Sequence, residues 1–333
     1  WFEWEPCSSD NQRAGAKTVF GRPLRAVPRL DAAEVIVSID ADLFHGEALA
    51  IKYNADWAKG RMLRNNEHAA NATMNRLYVI ESGFTITGSS ADHRRAVKPS
   101  QIPGIVGAIA AALGQAGNAG VATLDKELQT FISALAADVK ANAGKAVFVA
   151  GMRQGPDVHA AVAAINAGIN APVDYYADTD DPRTDENWTP HSEQIKAFAQ
   201  AAPAAELLVV LGANPVLTAP TDLKIRELLG SKQAIHFGCY EDETGKECLW
   251  HVPQAHYLEG WADVRTLDGT VSIAQPLIEP LFGGKTTAEF LSILSGQNEA
   301  GYDLVRAAAK AGYMKAFSDW TWKQALFNGV VAN

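Results

Sequence analysis

Cysteine is scarce: Cys7, Cys239 and Cys248 are the only three in 333 residues, and no two stand in a CxxC spacing. Three dispersed thiols fall short of the four thiolates that an iron–sulfur cluster usually takes, and they supply no disulfide framework. No run reaches the roughly 18 consecutive apolar residues of a membrane-spanning helix. Basic blocks are missing as well. Lys and Arg number 29 against 38 Asp and Glu, which gives a formal charge of −9 and a pI near 5.4. That balance argues against nucleic acid, whose phosphates demand clustered cations. Neither GxGxxG, GxxxxGK[ST] nor GxSxG occurs, so a simple NAD site, a P-loop and a hydrolase nucleophile elbow are unsupported. The chain opens on Trp1 rather than Met. We therefore expect a piece of something longer, whose missing part leaves room for a signal peptide.

Apolar material is plentiful: 47% of residues are hydrophobic and 20% charged, enough for a core and against global disorder. At about 150 residues per domain, the length fits two domains or one large α/β domain. Short β-branched runs alternate with helical stretches. Glu34–Asp40 (EVIVSID) has the look of a buried parallel strand, and Leu77–Ile80 is weaker, with a Ser/Thr/Gly-rich stretch (Ser82–Ser90) after it. Ala146–Ala150, Glu206–Leu211 and Ala234–Phe237 are further strands. The spacing of Leu124, Leu128, Phe131, Ile132, Leu135 and Val139 predicts a helix, with Thr123 as N-cap and Gly144 just past its end. Other helices are predicted over Leu43–Trp57, Val158–Ala167 and Thr221–Leu229, and two or three over the tail from Thr286, which ends in the aromatic stripe Trp320–Trp322. Strands joined by helices imply βαβ units, hence an α/β fold with a Rossmann-like, mostly parallel sheet flanked by helices. Gly114–Gly120 reads as a connector and Asp178–Pro190 as a surface loop. We expect a first α/β segment over residues 1–120, a second over 121–284 and a helical tail over 285–333, with no internal repeat.

Open α/β sheets bind ligands outside the carboxyl ends of their strands. Ser38–Gly46, Gly151–Asp157, Gly212–Thr218 and Gly238–Glu247 qualify. A helix N-terminus after such a loop suits an anion, although the glycines serve equally for tight turns. Asp40 and Asp42 follow a strand, where carboxylates bind a ribose, act as a base, or cap the helix ahead. His251, His256 and Glu259 lie close together in HVPQAHYLE, but Pro253 breaks any helix that would align both histidines. They read as structural histidines near a surface turn. Cys239 and Cys248 read as buried small apolar residues, and Glu241, Asp242 and Glu243 as a solvated loop. Residue chemistry alone thus reaches an α/β ligand-binding scaffold.

One ordered series is more specific. Gly212-Ala213-Asn214-Pro215 follows an apolar strand; then come Glu243-Thr244, Val252-Pro253 with Glu259 six residues on, and Asp268-Gly269-Thr270. This order resembles the third domain of molybdopterin oxidoreductases of the dimethylsulfoxide-reductase and formate-dehydrogenase type. The strings Trp1–Gly21, Met74–Arg94 and Tyr240–Pro276 are similar to the molybdopterin-oxidoreductase-like subunit of bacterial alternative complex III, a quinol-oxidising respiratory assembly. The resemblance covers roughly residues 1–284. It implies the pterin-dinucleotide-binding fold, with Gly212, Asn214, Pro215, Thr218, Glu243 and Thr244 as the positions that would hold molybdopterin guanine dinucleotide.

The departures are instructive. Trp250-His251 stands where catalytic relatives usually carry Ala-Asp, and no residue matches the family's protein ligand to molybdenum. The resemblance therefore implies a cofactor-free scaffold with no catalytic or metal-ligating residue of its own. Its implied partners are an iron–sulfur domain and haem subunits of a membrane-bound complex, on the periplasmic side of the inner membrane. A genuine dinucleotide-binding oxidoreductase fragment and an unrelated α/β small-molecule enzyme remain as alternatives. A concave pocket is expected at Gly212–Thr218, bordered by Gly151–Asp157 or Gly238–Glu243; a flat surface at Asn214, or Trp250 filling it, would mark the scaffold.

Overall fold

The computed structural model describes residues 1–62, 74–115, 124–177 and 187–331. They form two compact units: a first of residues 8–177 with 187–188, and a second of residues 1–7 with 189–331. The break expected between residues 120 and 121 lies outside the described residues, and helices from either side of it cover one core. The tail after residue 285 belongs to the second unit rather than standing apart.

The first unit runs α1 (Asp10–Phe20), β1 (Leu24–Pro28), β2 (Val35–Ile39), α2 (Ala50–Lys59), β3 (Arg76–Glu81), α3 (Ile86–Ser89), β4 (His93–Ala96), α4 (Ile102–Ala112), α5 (Lys126–Ala141), β5 (Ala146–Ala150), α6 (Pro156–Gly168) and β6 (Val173–Ala177). Its sheet has the order β4-β3-β2-β5, parallel throughout. Alternation along each strand feeds two cores. Val35, Val37, Ile39, Ile80 and Phe148 pack under α4, α5 and α6. Ile36, Leu77, Val79 and Val147 pack on the other face with Leu43, Phe44 and Tyr53. Continuous apolar runs are the signature of strands covered on both sides, and β2 and β5 are buried at all five positions. The edge strand β4 carries Arg94 and Arg95, charges that discourage pairing with another chain. α1 crosses α6 closely at Gly15, where a Cβ would lie 2.6 Å from that of His159.

Several expectations shift. Thr123 lies outside the described residues; Asp125 caps α5, its side chain accepting from Leu128 N at 2.8 Å. Gly144, at φ +81°, follows as expected. The helix expected over Leu43–Trp57 starts only at Ala50 and runs on to Lys59, with no side-chain cap. The antiparallel pair β1–β6 was not anticipated. Residues 116–120 of the expected connector and 178–186 of the expected loop lie outside the described residues, but Trp188 is buried, with the Arg13 guanidinium 4.7 Å over its ring.

The second unit runs α7 (His191–Ala201), β7 (Leu207–Leu211), α8 (Pro215–Thr218), α9 (Ile225–Gly230), β8 (Gln233–Gly238), α10 (Glu243–Glu247), β9 (Trp250–Pro253), β10 (Ala262–Arg265), β11 (Val271–Ala274), α11 (Thr287–Leu294), α12 (Gly301–Ala308) and α13 (Asp319–Asn328). β7-β8-β9 is a parallel sheet. Leu208, Val210 and Ala234 pack against Ile195, Ile225 and Leu229 on one face. The other face is only partly covered. Phe290 of α11 stacks on Phe237 at 4.3 Å, yet Leu207, Val209 and Trp250 are 47%, 37% and 64% exposed. Burial on both faces therefore holds for β2, β3 and β5 and fails for β7. Lys224, at φ +51°, breaks the helix expected over Thr221–Leu229. Asp268-Gly269-Thr270 is the turn of the hairpin β10–β11, with Gly269 at φ +88°. That hairpin packs on α12 and α13 through Val271, Ile273, Val305 and Trp322, while Trp320 is exposed.

Candidate functional site

The loops singled out by sequence meet at the carboxyl ends of β7 and β8. Gly212, at φ +63°, turns the chain out of β7, a conformation that L side chains rarely adopt. Asn214 precedes α8, whose first residue, Pro215, has no N–H to offer a ligand. The Asn214 amide is engaged at both ends. Its Nδ2 donates to Glu243 Oε2 at 2.7 Å, and its Oδ1 accepts from Thr244 Oγ1 at 2.8 Å. Thr244 Oγ1 also accepts from Val216 N at 3.1 Å. The N–H groups of Leu217 and Thr218 donate to the Asn214 carbonyl, and that of Gly212 to Phe237 O. Thr218 Oγ1 donates to Asn214 O and accepts from the Trp4 indole, both at 2.9 Å.

α10 is closed in the same way. Asp242 Oδ1 accepts from Thr244 N at 3.0 Å and from Gly245 N at 2.9 Å, so a carboxylate of the chain takes the position where an anion would bind. Hydrogen bonds from the Asn214 amide and a backbone N–H hold the Glu243 carboxyl below the usual carboxylate range. Asp242 is thus a helix cap and Glu243 a clasp, not merely a solvated loop.

Beneath the loops lies a residue that pattern reading missed. His236, within β8, is 1% exposed. Its Nδ1 is 3.0 Å from Nδ1 of His251 in β9, with the rings stacked at 5.1 Å. One ring must donate and the other accept, so a single proton lies between them. Burial lowers the His236 pKa most, with His251 adding to the effect and Asp242, whose Oδ1 is 3.7 Å from His236 Nε2, opposing it. His236 is thus held toward its neutral form. Gly245 leaves room for it: a Cβ there would be 2.9 Å from His236 Nδ1. The signal available in sequence was parity, since His236 and His251 fall on neighbouring strands at matched positions.

The remaining candidates do not assemble into a centre. His251 sits in a strand rather than near a surface turn, while His256 is exposed against Tyr257. Glu259 accepts from His256 N and Leu281 N, tying two loops together. Cys239 is exposed, contrary to expectation; Cys248 is partly buried, and burial pushes its thiol up to about 11. Among the described residues no group of three His, Cys, Asp or Glu is placed to hold a metal ion.

In the first unit, Asp40 follows β2 at φ +52°. Its Oδ1 accepts from Ser82 N and Oγ at 2.8 and 2.9 Å, and its Oδ2 from Gln154 Nε2 at 2.9 Å, bridging the loops after β3 and β5. Gly151 passes close by, where a Cβ would meet the Asp40 carbonyl at 2.0 Å. Asp42 caps no helix of its own segment; it accepts from Thr87 N and Oγ1 in α3.

Two cavities stand out among the described residues, one of about 40 Å³ in the first unit and one of about 490 Å³ between Tyr313 and Val331. Neither is lined by Gly212–Thr218, where a pocket was expected. Trp250 does not fill that place: it is exposed, and its partner in register is Ile235.

No protein-family model matches the chain, and no curated protein does. Solved structures do. Acetylene hydratase from Pelobacter acetylenicus superposes with a TM-score of 0.60 at 10% identity, over 88% of this chain and 51% of that one. The formyltransferase/hydrolase complex from Methylorubrum extorquens, solved with methylofuran, superposes with a TM-score of 0.54 at 14% identity, over 92% of this chain and 85% of that one. At these identities the likeness is one of fold. The chain spans about half the length of the acetylene hydratase chain.

Proposed function

We propose that the chain is a molybdopterin-oxidoreductase-like module that serves as a cofactor-free scaffold in a quinol-oxidising respiratory electron-transfer complex. The observation that carries this reading is the closure of the Gly212–Thr218 loop on itself. A pterin dinucleotide needs unengaged N–H groups for its phosphates and an amide for its base. Here the N–H groups of Gly212, Val216, Leu217 and Thr218 are taken, as are both ends of the Asn214 amide. A phosphate would also meet the Glu243 and Asp242 carboxylates. Gly212, Asn214, Pro215, Thr218, Glu243 and Thr244, so engaged, do not fit molybdopterin guanine dinucleotide.

A scaffold needs surfaces that neighbours cover. The partly open face of β7–β8–β9, with Leu207, Val209 and Trp250 exposed, is apolar enough to suit another subunit of such a complex. The partners on this reading are an iron–sulfur domain and haem subunits at the periplasmic side of the bacterial inner membrane. No described helix is long and apolar enough to cross a membrane.

The test is mass spectrometry of natively purified protein for a bound pterin, with elemental analysis of untagged protein. The expected result is no pterin, and no molybdenum, tungsten or iron near one equivalent per chain. A stoichiometric pterin would restore the dinucleotide-binding reading. Co-purification with haem- and iron–sulfur-containing subunits is expected from the native membrane, and its failure would remove the respiratory assignment.

A further inference from the structure

The cavity of about 40 Å³ in the first unit lies behind the turn from β5 to α6, with Glu47, Tyr53, His159, Asn166 and Tyr175 among its lining. At 10–15 Å³ per water, it offers room for about three waters. Its polar lining is under-satisfied. His159 is 6% exposed, and no hydrogen bond reaches its Nε2. The ring's other nitrogen is tied to the backbone of Gly151. The Gly151 N–H already donates to Ile39 O, so its carbonyl accepts from the ring and Nε2 carries the lone pair. The Tyr175 hydroxyl is buried, and the one side-chain group it meets is the Asn166 amide. The Asn166 amide beside it is engaged with the N–H and carbonyl of Phe148, at 2.9 Å each.

We propose that this cavity is a binding site for a small neutral hydrogen-bonding molecule that donates to His159 Nε2 and engages the Tyr175 hydroxyl. His159 Nε2 is a buried acceptor with no partner beside this cavity, and the Tyr175 hydroxyl has only an Asn166 amide already engaged with Phe148; a buried group left unmade costs free energy, so the site calls for a guest that bonds to both. The ligand class follows from the lining. Burial lowers the His159 pKa to about 4, so the ring is uncharged at neutral pH and attracts no anion. Burial also raises Glu47 to about 7, so its carboxyl is largely protonated below neutrality and offers little to a cation. An apolar guest would leave both atoms unmet. Water and short amides or alcohols share the required chemistry and size. The cavity lies along the outer edge of β5, where no strand pairs with it, between β5, α6 and the β1–β6 pair.

The experiment is NMR of the full chain labelled with 15N-histidine, with formamide as probe and xenon as apolar control. His159→Gln assigns the resonance. A water arm records nuclear Overhauser effects from long-lived water to the His159 and Tyr175 rings. Resident water that formamide displaces, with a saturable shift of His159 Nε2, supports an organic ligand; resident water that formamide does not displace supports water as the occupant. Tyr175→Phe, which removes only one oxygen, should weaken occupancy about two- to ten-fold in either case. Absence of both resident water and a saturable formamide shift would overturn the proposal. So would xenon binding as well as formamide, or a Tyr175→Phe chain that binds unchanged.

Discussion

Asn166 does for β5 what a neighbouring strand would do. β5 ends the order β4-β3-β2-β5, so one of its edges has no strand beside it. From α6, the Asn166 side chain accepts from Phe148 N and donates to Phe148 O, both at 2.9 Å, with Asn166 4% and Phe148 2% exposed. Asn166→Ala would leave a buried N–H and a buried C=O unpaired. At about 1–3 kcal/mol for each orphaned group, the loss is about 2–6 kcal/mol, with the lower end applying if water from the adjoining cavity moves in. Against a total stability of about 5–15 kcal/mol that is a large fraction. Urea unfolding should show a lower midpoint at unchanged slope, and native-state hydrogen exchange should show the Phe148 amide losing its protection. A loss under about 1 kcal/mol with the Phe148 amide still protected would refute the argument.

Two further outcomes are expected. Glu47 and His159 shift in opposite senses, from 4.5 to about 7 and from 6.5 to about 4, so the native state holds both neutral where the unfolded chain holds both charged. Glu47 contributes stability that is lost as pH rises from about 4.5 to 7, and His159 stability that is lost as pH falls from about 6.5 to 4; the slopes cancel between. Relative to the parent chain, Glu47→Gln should therefore gain about 3 kcal/mol between pH 4 and 7 and His159→Gln lose about as much, measured by urea unfolding at both pH values; parallel profiles would count against it. Asp242→Ala removes the cap of α10 and should cost about 1 kcal/mol while broadening the Asn214 side-chain amide resonances, since Thr244 loses its anchor.

β2, β3 and β5 were legible because both faces are buried, which writes itself as unbroken apolar runs such as AVFVA, whereas the exposed, charged edge strand β4 was not. β6 was not, since VDYYA mixes polar and apolar residues and only its pairing with β1 makes it a strand. The Gly212–Thr218 loop was legible as a strand-end turn through Gly212 and Pro215. Its partners Glu243 and Thr244 were named from the resemblance, but that they close the loop depends on the geometry of α10, about 30 residues on. His236 was hidden for the opposite reason: a lone histidine inside an apolar strand carries no pattern, and its meaning comes from His251 on the next strand.

The two units close their strand ends by the same chemistry. Asp40 follows β2 and Asp242 precedes α10, each at the carboxyl edge of a parallel sheet, where α/β proteins gather ligands. Each carboxylate binds backbone N–H groups: Ser82 for Asp40, Thr244 and Gly245 for Asp242. Asp40 does so from a left-handed conformation at φ +52°, which is costly for a non-glycine residue unless its surroundings enforce it. The enforcement is visible in Gln154, which donates to the second oxygen from the loop after β5. Carboxylates so placed already supply the negative charge that an open strand end would draw from a phosphate. A phosphate at either strand end would have to displace the carboxylate already bonded to those N–H groups. That requirement, more than any missing motif, is what makes a structural role for these strand ends the more economical reading.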